Sequence, residues 1–216
     1  MKRCRSALGW CLAFSCVLGC RSEQDDAPAP KKPPPPAVCP EAAIPIGFPE
    51  PAAAYTHYAE AINHFKWCDA IATFEPKARA DVAVMTFKGL ILLAGTDTPK
   101  RVAYQQNVLE FCNKHNLPYS PAGFAALTAK LLKRGNIDAE LGPLKQVAAQ
   151  SPEAIYVELL DRLKQVDAHS MMQLDPVLSD VTITGDTATG TSSQRNGAKG
   201  SLAFAKTNKG WLITVR

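Results

Sequence analysis

The spacing of apolar residues changes once along this chain, at Asp175-Pro176, and that change limits the fold more than any other feature. Upstream, from Pro51 onward, apolar side chains recur about every 3.6 residues, the period of a helix with one buried face. Downstream they alternate in short runs: Leu178 to Ile183, Thr187 to Ser192, Ser201 to Ala205 and Trp211 to Val215. Gly185-Asp186, Asn196-Gly197 and Asn208-Lys209-Gly210 fall between the runs as turns, which predicts an antiparallel meander. Helices followed by a closing set of hairpins define an α+β domain, with N-terminal and central helices packed on a C-terminal sheet.

The helices carry their own punctuation. Pro51 suits the first turn of a helix whose Tyr55, Tyr58, Ile62 and Phe65 form one apolar stripe, and Trp67 to Phe74 continues it or starts a second helix. Asp81 to Ala94 is apolar nearly all round and reads as a buried helix. Thr98-Pro99, Ser120-Pro121 and Ser151-Pro152 each pair a capping residue with a proline at the first helical position. The stripes that follow are Tyr104, Val108, Phe111 and Cys112; then Phe124, Leu127 and Leu131; then Ile155, Leu159, Leu163 and Val166. Leu117-Pro118 and Gly135 act as stops, and Lys133 and Arg134 complement a helix dipole.

The first 51 residues differ in composition from the rest. Met1 to Arg5 is basic, Ser6 to Gly19 is uncharged and mostly apolar, and the run is too short for a comfortable membrane span, which needs about 20 residues. It ends in Val17-Leu18-Gly19-Cys20, which resembles the lipobox of bacterial lipoproteins. That resemblance implies a signal peptide over 1–19, cleavage before Cys20, acylation of Cys20, and a membrane partnership through its lipid. Two or three acyl chains anchor durably, because each buried methylene contributes about 0.8 kcal/mol. Arg21 stands where an Asp would be the inner-membrane retention cue of Gram-negative lipoproteins, so the expected location is the cell envelope, at the outer membrane. Residues 20–51 then hold ten prolines and no apolar period, and read as a linker. In polyproline II, which rises about 3.1 Å per residue, such a stalk reaches about 95 Å.

Residues 52–216 are left as the globular domain, with 18 basic and 15 acidic side chains. That near-balance gives no footprint for nucleic acid. Its opening, Ala52 to Phe74, and its ending, Leu178 to Val215, resemble the nuclear transport factor 2-like superfamily, whose fold is a cone of curved sheet wrapped on N-terminal helices. The resemblance rests on pattern and not on a chemical motif. Residues 75–150 are helical where that family has shorter helices and early strands, so they read as a helical insertion.

Chemistry-bearing clusters are few. Once Cys20 is lipidated, Cys39, Cys68 and Cys112 face an oxidising compartment. A Cys68–Cys112 disulfide would close a loop of about 45 residues and stabilise by roughly 4 kcal/mol. The alternative is that both are small buried hydrophobes, with Cys39 free or linked between molecules. His57, Glu60 and His64 project within about 60° of one another on the first helix, a two-histidine, one-carboxylate pattern able to hold a metal. The same geometry turns them away from the Tyr55 stripe, and they read as a solvated face. His169 with Met171 and Met172 could hold a soft cation, but fits a helix-ending loop better. Tyr55 and Tyr58 read as core aromatics, and Lys199, Lys206 and Lys209 as a solvated face that deters edge pairing.

Phosphate-loop, zinc-cluster, HExxH and nucleophile-elbow motifs are absent from the sequence, so no cofactor and no catalytic residue is expected. The function these features favour is a non-catalytic module for a small apolar ligand or an envelope protein, with the apolar segment Val82 to Ala94 as its motive. A cone-pocket isomerase or dehydratase and a purely structural envelope component are the alternatives.

Overall fold

The computed structural model describes Cys39 and residues 47–95, 100–133, 135–166, 173–194 and 197–215. Cys20, the leader, most of the linker, Thr98-Pro99 and His169 with Met171 and Met172 lie outside the described residues.

Helix α1 (Pro51–Asn63) opens with proline in its first turn, after Glu50 in extended conformation. It ends because Phe65 takes a left-handed φ of 59°, and the Lys66 amide folds back on the Ala61 carbonyl at 2.8 Å. That conformation is uncommon for a bulky residue. Phe65 is held there by an edge-on contact with Trp67 and by Lys164 Nζ, 4.5 Å from its ring centre. It therefore leaves the expected stripe, and α1 buries Ala54, Tyr55, Ala59, Ala61 and Ile62 instead. Short α2 (Trp67–Ala72) and a 3-10 turn (Pro76–Ala78) lead into α3 (Arg79–Gly95).

Helix α3 is the axle of the helical layer. It packs against α4 (Arg101–Lys114), α5 (Pro121–Leu132), α6 (Gly142–Gln150) and α7 (Pro152–Gln165), which explains why its sequence is apolar nearly all round. Phe87, Leu90 and Ile91 are at most 1% exposed. The approach to α5 is close: a side chain on Gly95 would collide with Thr128, whose buried hydroxyl donates to the Ile91 carbonyl at 3.0 Å. Val82 to Ala94 is thus mainly core, with Met85 its exposed apolar side chain, so it does not provide the partner surface expected of it.

The four strands β1 (Ser179–Thr184), β2 (Thr187–Ser193), β3 (Lys199–Thr207) and β4 (Gly210–Thr214) form an antiparallel meander in the order β1-β2-β3-β4. Ile213, Phe204 and Ala188 stand in register on the face toward the helices and are almost fully buried. On the opposite face Thr214, Ala203, Thr189 and Thr182 are in register, small and partly or fully solvated. Gly190 has no side chain because Leu178 lies across it.

The outer edge of β4 is closed by two other segments. Phe48 exchanges both backbone hydrogen bonds with Trp211, at 3.1 and 2.7 Å. The Ile213 amide donates to Thr73 O at 3.0 Å, and its carbonyl accepts from Glu75 N at 2.9 Å. The folded unit therefore begins before the expected boundary at residue 52. Phe48, an aromatic among prolines, finds its partner only in the last strand.

The disulfide also differs from expectation. Cys68 is joined to Cys39, with Cα atoms 5.3 Å apart, and Cys112 is a free, buried thiol. Cys112 lies on the apolar stripe of α4 and behaves as a small hydrophobe, whereas Cys68 is only partly buried on α2. Cys39 is accordingly neither free nor intermolecular.

Candidate functional site

An apolar recess forms where α4 hands over to α5. Asn116 takes a left-handed φ of 52°, and the Leu117 amide returns to Cys112 O at 2.8 Å, so the chain reverses over Leu117-Pro118-Tyr119. Ser120 then caps α5, its hydroxyl accepting from the Gly123 amide at 3.2 Å. Pro118, Tyr119, Gly123, Ala126 and Leu127 wall an open cavity of about 390 Å³. Tyr119 is fixed at both ends: its ring lies 5.6 Å from that of Phe87 and its hydroxyl donates to Glu140 O at 2.8 Å. Burial pushes the phenol up to about 12, so it stays protonated and acts as a fixed donor. The polar groups at the rim, Lys130 and Glu140, form an ion pair with each other; that hydrogen bond holds the Glu140 carboxyl below its usual range.

The second cluster centres on Glu158 of α7, whose side chain is 9% exposed. Its carboxylate accepts from Lys114 Nζ at 2.7 Å, lies 2.9 Å from His115 Nε2, and accepts from Arg162 at 3.1 and 3.3 Å. Burial alone would raise its pKa, but the bonds from Lys114, His115 and Arg162 outweigh that and hold it below the usual glutamate value. Arg162 also donates to the Asn107 carbonyl at 3.1 Å, so the cluster ties α4 to α7. Lys114, His115, Gln150, Ser151 and Glu158 border a cavity of about 280 Å³. A carboxylate so fully engaged is a structural anchor rather than a proton carrier. A third recess, of about 250 Å³, lies beside the disulfide, where Trp67 Nε1 donates to Asp161 Oδ1 at 2.7 Å.

The other expected residues are placed as follows. His57 packs on Phe48 with ring centres 5.1 Å apart, while Glu60 and His64 are exposed, and no metal-ligating cluster forms among the described residues. The Tyr55 hydroxyl donates to Asp175 O at 2.8 Å, and burial raises its pKa. Burial pushes the Tyr58 phenol up to about 12, and its ring meets Phe74 edge-on. Both tyrosines serve packing. Lys199, Lys206 and Lys209 are exposed. The recess around Tyr119 escaped the sequence reading, since the Ser120-Pro121 start signal located a helix and not the hollow beside it. Glu158 was hidden in an apolar stripe, and its only local signal is Arg162 one turn on.

Comparison with protein-family models, curated proteins and solved structures gives no match for this chain.

Proposed function

We propose that this chain is a lipid-anchored envelope module that binds a small apolar ligand without transforming it. The observation that carries this reading is the Tyr119 recess, whose walls are apolar and whose two charged rim groups neutralise each other. Such a hollow offers area to an acyl or aromatic group, but no uncompensated acid or base. The anchor reading rests on Val17-Leu18-Gly19-Cys20, and the proline-rich segment that follows would carry the domain away from the bilayer. Kinship with the nuclear transport factor 2-like cone is part of the same proposal. It is supported by an opening helix in contact with the last strand of a terminal meander, while residues 75–150 depart from the family's pattern and are read as a helical insertion.

The test is a fluorescence titration with an environment-sensitive apolar probe, comparing the protein with Ala126→Arg. Ala126 is exposed on the recess wall, so the change leaves the core intact. Binding weakened at least tenfold in the variant, with unchanged circular dichroism, is the expected result. Equal binding by both proteins overturns the assignment of the recess.

A further inference from the structure

The recess beside the disulfide, of about 250 Å³, shares no residue with the Tyr119 recess and differs from it in chemistry. It forms where the turn after α1 and the start of α2 meet α7. Phe65, at its left-handed φ of 59°, is 36% exposed, and Trp67 stands edge-on to it at 80° with ring centres 5.4 Å apart. Two aromatic side chains thus border the hollow nearly at right angles. Asp69 of α2 and Asp161 of α7 border it as well.

Two observations point to a cation. Lys164 Nζ lies 4.5 Å from the centre of the Phe65 ring, well within the range of about 6 Å over which a ring face attracts an ammonium. This ring therefore already takes a primary ammonium, supplied by the chain itself. Lys164 is exposed, so its head can pass into water while its stem stays on the surface. The carboxylates are the second observation. Asp161 accepts a hydrogen bond from Trp67 Nε1, a neutral donor, and neither Asp161 nor Asp69 forms an ion pair among the described residues. Lys66 is the one cation among the lining residues, so the hollow sets two carboxylates against one lysine.

We propose that this recess binds the primary ammonium of a zwitterionic head group of the ethanolamine phosphate kind. The ligand's ammonium replaces that of Lys164 at the Phe65 ring and donates to the carboxylates of Asp161 and Asp69, while its phosphate is balanced by Lys66. A quaternary ammonium fits less well, because it has no N–H to give those carboxylates. The volume corresponds to about eight waters, room for a head group and not for an acyl chain beside it. Neither acylation of Cys20 nor a ligand in the Tyr119 recess is required.

Isothermal titration of the full-length protein in detergent with glycerophosphoethanolamine should show one saturable site, and glycerophosphocholine should bind at least fivefold more weakly. Phe65→Leu should weaken binding roughly fivefold. Asp161→Asn keeps an acceptor for the Trp67 indole but loses the charge, and should weaken it about tenfold with circular dichroism unchanged. Lys164→Ala removes the competing ammonium and should tighten binding about twofold, a gain that a merely structural lysine would not give. Dihexanoyl phosphatidylethanolamine forms the second arm: affinity equal to that of the soluble head group makes the free compound sufficient, and tighter affinity identifies a lipid as the source. No saturable binding of either compound, or parent affinity in all three variants, overturns the proposal.

Discussion

The hydroxyl of Tyr55 donates to the carbonyl of Asp175 at 2.8 Å, joining the first helix to the chain just ahead of β1, 120 residues away in sequence. Asn63 reinforces the join by bonding both the amide and the carbonyl of Leu174 at 2.9 Å. Tyr55→Phe removes one such bond and should cost about 1 kcal/mol. Asn63→Ala leaves two backbone groups unpaired and should cost about 2 kcal/mol. Thermal midpoints check this, with an expected loss of about 2–4 °C per kcal/mol for a domain of this size. Equal midpoints for all three proteins would show that α1 is not what holds the entry to the sheet.

Glu158 makes stability depend on pH. Its folded-state pKa lies below the ordinary value of 4.5, so its contribution is present above that value and is lost as pH falls through the folded one. Glu158→Gln should be destabilised by about 3 kcal/mol at neutral pH, because Lys114 and Arg162 lose their shared counter-charge. The gap between the two proteins should narrow on acidification through the carboxylate range. Urea unfolding across that range is the measurement, and a gap independent of pH would contradict the ionised anchor.

The Cys39–Cys68 bridge spans 29 residues and should stabilise by roughly 3.5 kcal/mol on chain-entropy grounds. Peptide mapping without reductant should recover residues 39 and 68 in one linked species. Cys112, whose thiol burial pushes up to about 12, should alkylate only after denaturation. A linked 68–112 peptide would contradict the structure.

Much of this architecture was legible because it is local. Turn residues and alternation located the four strands to within two residues at each end, and the stripe Tyr104, Val108, Phe111 and Cys112 is buried in full. What failed to show was non-local. Helix α6 buries only Leu144 and Ala148 and has no capping side chain, so its pattern is faint. Cys39 and Phe48 sit in proline-rich sequence with no period of its own, yet their partners lie on α2 and β4. The Glu158 cluster draws Lys114 and His115 from more than forty residues away, and the Tyr119 recess arises from how α4, α5 and the loop after α5 meet. Pairings of this kind are decided by the finished fold.

Labelling with a diazirine-bearing fatty acid, followed by mass mapping of the modified peptides, tests the binding assignment most directly. The account predicts insertion concentrated in residues 117–132, competed away by unlabelled fatty acid and lost in Ala126→Arg. Labelling spread evenly over the chain, or gathered at Val177, Val181 and Ile183, would contradict it.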